Sequence, residues 1–263
     1  MTDLATGALV GLLRRLDDPD ARLPGLGFHG ADLRGADLAG ARIACLSLRG
    51  AVLDGADLSG AVLHHVDLSG ASLIRADLTG ATLRMVSAEG AVLRGADLSR
   101  AYLDVADLTA ADLREASLCD AMVRGCLLDR ARLDAADLTR AVLAGSSGAG
   151  AGFRGAQLRG ANTAGSRFPG ADLRAARDFA RCRELVAELL RVLAVELEDP
   201  EAVRLIGAVS TEERWCYPEW ADVLAGAPAH REIALRFFDR HPESGISRAL
   251  EVAARRGPLR DAS

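Results

Sequence analysis

The sequence predicts a mainly β protein: a four-sided β solenoid with an N-terminal capping helix and a C-terminal α-helical module. Three observations carry this expectation. A register of five runs from Phe28 to Leu173 without an insertion; 27 of its 30 centres are large apolar residues, and 22 are Leu. Ala stands two residues before the centre in 23 of 30 units, and Gly two residues after it in 17 of 30. The departures from Ala (Leu26, Leu46, Val66, Val86, Cys126, Ser146 and Ser166) recur at intervals of 20, or of 40 across Ala106.

A period of five matches neither a helix at 3.6 residues per turn nor a strand at two. The chain must therefore bend once per unit, with one large and one small apolar side chain directed inward and Gly easing the bend. Exceptions spaced by 20 place four units in each coil, so that equivalent residues stack. Ala88 and Gly148, two of the three undersized centres (the third is Thr163), share the side that carries the enlarged small positions, as compensation within a packed interior requires. No Pro occurs between Pro24 and Pro169, consistent with walls whose amides must donate to the next coil. The stretch from Ala144 to Gly152 keeps the register with small residues only, which leads us to expect a locally weak or bent coil.

Composition agrees with this architecture. Of the 263 residues only 4% are aromatic, while Gly numbers 27. A core of one Leu and one Ala per side has little space for rings. The net charge of −5 argues against a general polyanion binder, which normally has a basic patch. All 32 basic residues are Arg. Five widely spaced Cys with no CxxC pair favour reduced thiols. No apolar run approaches the roughly 20 residues of a membrane span, so a cytoplasmic protein without membrane contact is expected.

The elements follow in chain order. Residues 1–25 form the capping segment, with an amphipathic pattern of Leu4, Leu9, Leu12, Leu13 and Leu16. Residues 26–175 form the solenoid, whose seven and a half coils at a strand spacing of about 4.8 Å make a rod of about 36 Å. Residues 176–263 form the helical module. Phe179, Cys182, Val186, Leu189, Leu193 and Leu197 change the period to three and four. Asp199-Pro200, Ser210 with Glu213, and Gly257-Pro258 supply helix start and stop signals. Trp215, Tyr217, Trp220, Phe237 and Phe238 gather most of the aromatics there; they form either a compact helical core or an interface.

The units Ala31-Asp32-Leu33, Ala36-Asp37-Leu38, Ala56-Asp57-Leu58, Ala76-Asp77-Leu78, Ala96-Asp97-Leu98 and Ala136-Asp137-Leu138 resemble the motif of the pentapeptide-repeat family. The resemblance implies that family's fold, a right-handed quadrilateral β-helix. Qnr-type members are similar rods, and the resemblance implies what is known of them: binding to type II topoisomerases, chiefly DNA gyrase, protection from a poison, and a surface that mimics DNA. It also implies a homodimer, formed here through the C-terminal helices. The unbroken register of this chain leaves no room for the projecting loops of Qnr-type proteins, and its C-terminal segment is longer.

Signs of catalysis are absent from the sequence. Nothing resembles a nucleophile elbow, a P-loop, a dinucleotide fingerprint or a zinc motif. Glu219, His230 and His241 have no recognisable catalytic spacing, so neither an enzyme nor a cofactor is expected. Cys45, His65 and Met85 occupy one turn position on successive coils, with His64 beside them, and are weighed as soft-metal ligands against three unrelated turn residues; no metal is assigned.

The candidate partner-binding residues are Asp37, Asp57, Asp77, Asp97 and Asp137, which stand before the centre on one side in a column with Ser117 and Gln157. Outward charges on that side are six acids (these five and Asp120) against Arg100, Arg140 and Arg159. The neighbouring side carries Arg34, Arg94, Arg114, Arg154 and Arg174 among its own acids. Asp at such a position also satisfies turn amides. Two functions remain open: a protein-binding rod that engages gyrase by DNA mimicry without binding nucleic acid itself, or a scaffold whose C-terminal helices dock a protein partner.

Overall fold

In a computed structural model, the described residues are 28–179 together with Gly11, Cys182, Leu185 and Glu188. They build a parallel β solenoid. Five three-residue strands, β1 (Arg42–Ala44), β2 (Val62–His64), β3 (Thr82–Arg84), β4 (Tyr102–Asp104) and β5 (Met122–Arg124), stack in sequence order as one parallel sheet. Each pairs with the next at an offset of 20 residues, as in Arg42↔Val62 and Tyr102↔Met122. Single-residue bridges carry the same offset from Asp32 to Arg177.

The bridges define four columns and hence four walls. Wall A runs from Asp32 through Val52 and Asp112 to Asp172. Wall B runs from Asp37 to Arg177. Wall C holds β1 to β5 and continues through Val142 to Asn162. Wall D runs from Ser47 to Arg167.

The period of five has a hydrogen-bond explanation. In the unit centred on Leu33, the Leu33 amide donates to the carbonyl of Val52 one coil on (2.7 Å), and Gly35 donates to that of Asp54 (2.9 Å). Ala36 closes the turn on the Leu33 carbonyl (3.1 Å), and the next coil's Val52 amide returns to Ala31 (2.9 Å). Four of the five amides are thus paired with backbone. The fifth, at Arg34, turns to the Asp32 carboxylate (3.3 Å). This repeats along the rod and explains why the motif takes Asp before the centre: that side chain accepts the one amide the ladder leaves over.

The turn itself requires a left-handed residue two positions after the centre. Every such position from Gly30 to Ala175 has φ between 51° and 71°, including 13 that are not Gly. Gly at 17 of these sites removes the steric cost, while Val105, at φ 53°, carries a β-branched side chain into a region it disfavours. Wall C turns differently. Each strand uses three consecutive residues, and among the described residues the amides of Leu46, Val66, Val86 and Ala106 make no turn bond to the preceding centre. This is the corner where the small inward position is enlarged.

The interior is the stacked Leu and Ala columns, almost all fully buried. At wall C's corner the column changes from apolar to polar: Leu46, Val66, Val86, Ala106, Cys126, Ser146 and Ser166 are all buried. The polar end satisfies itself. The Ser146 hydroxyl accepts from the Cys126 amide (3.2 Å) and donates to the Val123 carbonyl (3.3 Å). Ser166 accepts from the Ser146 amide (3.0 Å) and donates to the Leu143 carbonyl.

The Ala144–Gly152 stretch keeps a continuous ladder, with Gly145, Gly148 and Gly150 donating to Ala164, Arg167 and Pro169. The void left at Gly148 is taken by the Phe168 ring, which stacks edge-on against Phe153 at 5.4 Å. A weak coil was the expectation from composition; long-range filling by a residue of the next coil supplies the missing contacts.

Beyond the last coil, Phe179, Cys182, Leu185 and Glu188 are buried at intervals of three. The Glu188 carboxylate accepts the Gly170 amide (2.6 Å), which in lower coils would donate to a carbonyl one coil on. At this amide the carboxylate stands in for the missing next coil. The expected N-terminal capping helix and, apart from these positions, the C-terminal helical module with its aromatic cluster and Glu219, His230 and His241 lie outside the described residues. No described helix is long and apolar enough to cross a membrane.

Candidate protein-binding surface

Asp37, Asp57, Asp77 and Asp97 bridge one another in turn on wall B, followed by Ser117, Asp137 and Gln157. The five candidate residues therefore share one column, one strand spacing apart except where Ser117 intervenes. Each carboxylate is held by the backbone. Asp57, Asp77, Asp97 and Asp137 accept the amide two residues on at 2.8–2.9 Å, from Ser59, Thr79, Ser99 and Thr139, and Asp37 accepts from Ala39 at 3.3 Å.

This anchoring fixes the side chains. Asp37, Asp77 and Asp97 are exposed; Asp57 and Asp137 are half-buried. At Asp137 partial burial pushes the carboxyl up, but hydrogen bonds from Thr139 and Cys119 and the Arg140 charge outweigh it and hold the pKa below the ordinary value. Along the same wall Arg140 pairs with Asp120 (2.5 Å) and Arg159 with Asp178 (3.3 Å). The acidic character is thus concentrated toward Asp37–Asp97, and the ion pairs lie further along the rod.

The other walls have different chemistry. Wall A braces itself: Arg114 pairs with Asp112 and Arg174 with Asp172, holding both carboxyls below the usual range despite partial burial. Asp54 and Asp134 reach the next coil, accepting the amides of Ile74 (3.0 Å) and Arg154 (3.3 Å). On wall D, Asp129 also reaches the next coil, accepting from the Ser147 hydroxyl (2.7 Å) and the Ala149 amide (2.8 Å).

Wall C is the unexpected one. Its outward charges are Arg42, Arg84 and Arg124 against Asp104 alone, which pairs with Arg84 at 3.5 Å. It also carries Met85, Val105 and Met122, three of the five large apolar residues exposed among the described residues. Sequence reading singled out the acidic wall because Asp belongs to the motif. On wall C the sequence points only to the column Cys45, His65 and Met85, because the exposed apolar residues occupy two different repeat positions and do not form a run.

Cys45, His65 and Met85 do stack on one turn column, with φ of 52°, 54° and 51°. The His64 and His65 rings lie edge to face at 4.3 Å. Slight burial, His65 and Arg84 all depress the pKa of His64. Among the described residues no group of three His, Cys, Asp or Glu side chains is placed to hold a metal ion. Cys126 is buried, which pushes its thiol up to about 11, and a thiol in that state is a core residue, not a nucleophile.

A parallel solenoid with a coil of four five-residue units, a stacked Leu/Ala interior and Asp-capped turns is the architecture of a pentapeptide-repeat protein. The family's sequence pattern, described as pentapeptide repeats, matches eight copies over residues 47–84, 89–125, 126–162 and 151–182, and the chain belongs to that family. Among solved structures it is similar to trypsin-treated QnrB1, a plasmid-mediated fluoroquinolone resistance protein. The two are 21% identical over 56% of this chain and 86% of the other, with a TM-score of 0.39. It is also similar to HetL of the cyanobacterium Nostoc, involved in heterocyst differentiation regulation, at 32% identity over 57% and 84% with a TM-score of 0.23. A pentapeptide-repeat protein of the Arabidopsis thaliana thylakoid lumen is 33% identical over 51% and 77%, with a TM-score of 0.20. No curated protein matches the chain.

Proposed function

We propose that this is a non-catalytic, cytoplasmic, protein-binding rod whose acidic wall engages a type II topoisomerase, DNA gyrase in particular, as a mimic of duplex DNA. The observation that carries the reading is the column Asp37–Asp57–Asp77–Asp97. Its carboxylates repeat at one strand spacing, and each has Oδ1 fixed by a backbone amide. Charge presented in a fixed array loses little entropy on binding and steers a basic partner surface. The resemblance to Qnr-type rods is what supports DNA gyrase as that partner.

A gyrase supercoiling assay tests the proposal, run with and without a gyrase poison. Inhibition or rescue at micromolar protein supports it, and the absence of both rejects it. The variant Asp57→Asn/Asp77→Asn/Asp97→Asn keeps the oxygen that accepts each amide and removes three charges. Loss of the effect in that variant assigns it to the acidic wall; full retention excludes mimicry even with gyrase as target.

The second reading is a scaffold whose residues 176–263 dock a protein partner or a second copy. The Arg140–Asp120 and Arg159–Asp178 pairs favour it, because they neutralise wall B toward that end. It predicts that removing residues beyond 190, which leaves Leu185 and Glu188 in place, abolishes partner binding or dimerisation while the rod stays folded.

A further inference from the structure

We propose that wall C is a second docking surface, which takes an acidic amphipathic segment of a partner protein. The first observation is where exposed apolar area falls. Met85, Val105 and Met122 are 42%, 59% and 41% exposed, and Leu127, just past the same corner, is 45% exposed. Tyr102 and Val142, both half-buried, flank Met122 in its column. Elsewhere among the described residues, Ile74 on wall A is the one large apolar side chain so exposed. Large apolar side chains exposed together on one wall, around its charged column, mark an interaction site more often than exposure scattered over the surface does.

The second observation is strain at the same place. Val105 is held at φ 53°. The turn column it belongs to continues with Gly125, Gly145 and Gly165, so Gly meets the same backbone requirement without the steric penalty. A β-branched residue there costs stability in its turn and exposes apolar surface as well. Neither cost helps the rod fold, and the cost of exposure is removed if the side chain is covered by a partner.

The charge pattern chooses the occupant. Arg42, Arg84 and Arg124 line the sheet with Asp104 as the sole outward acid, and Arg124 has no carboxylate within ion-pair distance among the described residues. Wall C against wall C of a second copy would bring these arginines together. Wall B of a second copy has the right charge but offers Ala39, Ser59, Thr79, Ser99 and Thr139 beside its carboxylates, nothing to cover Tyr102, Val105 or Met122. A foreign segment with carboxylates for Arg84 and Arg124 and large apolar side chains between them fits both features.

The test uses the full chain and two synthetic fluorescein-labelled peptides, one alternating Leu with Glu and one alternating Leu with Lys, followed by anisotropy. Saturable binding of the Glu peptide alone is expected. Arg84→Gln/Arg124→Gln and, separately, Val105→Gly/Met122→Thr should each weaken it by about tenfold or more, the size expected when a central contact of an interface is removed. Val105→Gly alone should weaken binding while raising the thermal midpoint of the rod, so loss of affinity cannot be ascribed to unfolding. Asp57→Asn/Asp77→Asn/Asp97→Asn should leave peptide binding unchanged, which separates this surface from the acidic wall. Equal binding of both peptides, no binding, or binding indifferent to the wall C variants overturns the proposal. So does self-association in sedimentation that the wall C variants abolish, since the occupant would then be a second copy.

Discussion

Phe168 occupies the space that a side chain on Gly148 would need: a Cβ built there would lie 2.5 Å from the Phe168 ring. Two departures from the repeat, one undersized and one oversized, are therefore a single packing event between adjacent coils. Gly148→Ala should destabilise the rod by about 1–3 kcal/mol through overpacking. Phe168→Leu should destabilise it through the cavity it leaves. The double variant Gly148→Ala/Phe168→Leu should cost clearly less than the sum, because the new methyl enters the space the ring vacates. Urea denaturation of the three variants measures this coupling, and strict additivity would show that the two positions do not communicate.

The Asp before each centre should behave as an amide acceptor first and a charge second. Asp77 accepts the Thr79 amide at 2.8 Å. Asp77→Asn preserves an acceptor and should change stability little, whereas Asp77→Ala should cost about 1 kcal/mol, as loss of a comparable cap does. Equal thermal midpoints for the two variants would remove the hydrogen bond from the account of the motif.

Acid should unfold the rod over a defined window. Asp112 and Asp172 are held below the ordinary carboxylate range by Arg114 and Arg174, against the opposing effect of partial burial. Asp137 and Asp67 are held there by Thr139 and Ser69 hydrogen bonds that outweigh burial. On lowering the pH the unfolded chain binds protons first, at about pH 4, so stability is fully present above that value and is lost as pH falls through the lower folded-state values. Asp112→Asn should make the acid limb shallower when midpoints are followed by circular dichroism between neutral and acid pH. An unchanged limb would place the acid sensitivity elsewhere.

One amide of the final coil is satisfied by a carboxylate from beyond it. Glu188 is buried and accepts the Gly170 amide at 2.6 Å. Glu188→Ala leaves that amide without its acceptor, a loss of about 1–3 kcal/mol. Hydrogen exchange should then rise first in residues 161–173 and leave β1 to β5 protected, since coils unravel from an unprotected end. Uniform loss of protection along the rod would mean that the coils melt as one unit.

The sequence alone determined the repeat, the coil of four units, the inward Leu and Ala columns and the stacking of Asp37, Asp57, Asp77 and Asp97. These were legible because a solenoid makes contacts at a constant separation in sequence. A periodic chain therefore writes its own neighbour list, and any side chain that breaks the pattern also shows which wall it stands on.

Only the tertiary structure decided what the pattern leaves free. That the Asp of the motif satisfies a turn amide was legible in the sequence; the structure decided which amide it is, the single one that the ladder omits. Phe168 and Gly148 proved to be partners because ring volume is shared across coils and is invisible position by position. Wall C emerged for the same reason. Met85, Val105 and Met122 belong to two repeat positions on three coils, and a surface patch is made by stacking in space, where the strand spacing of the solenoid and not the order of the chain sets which side chains meet.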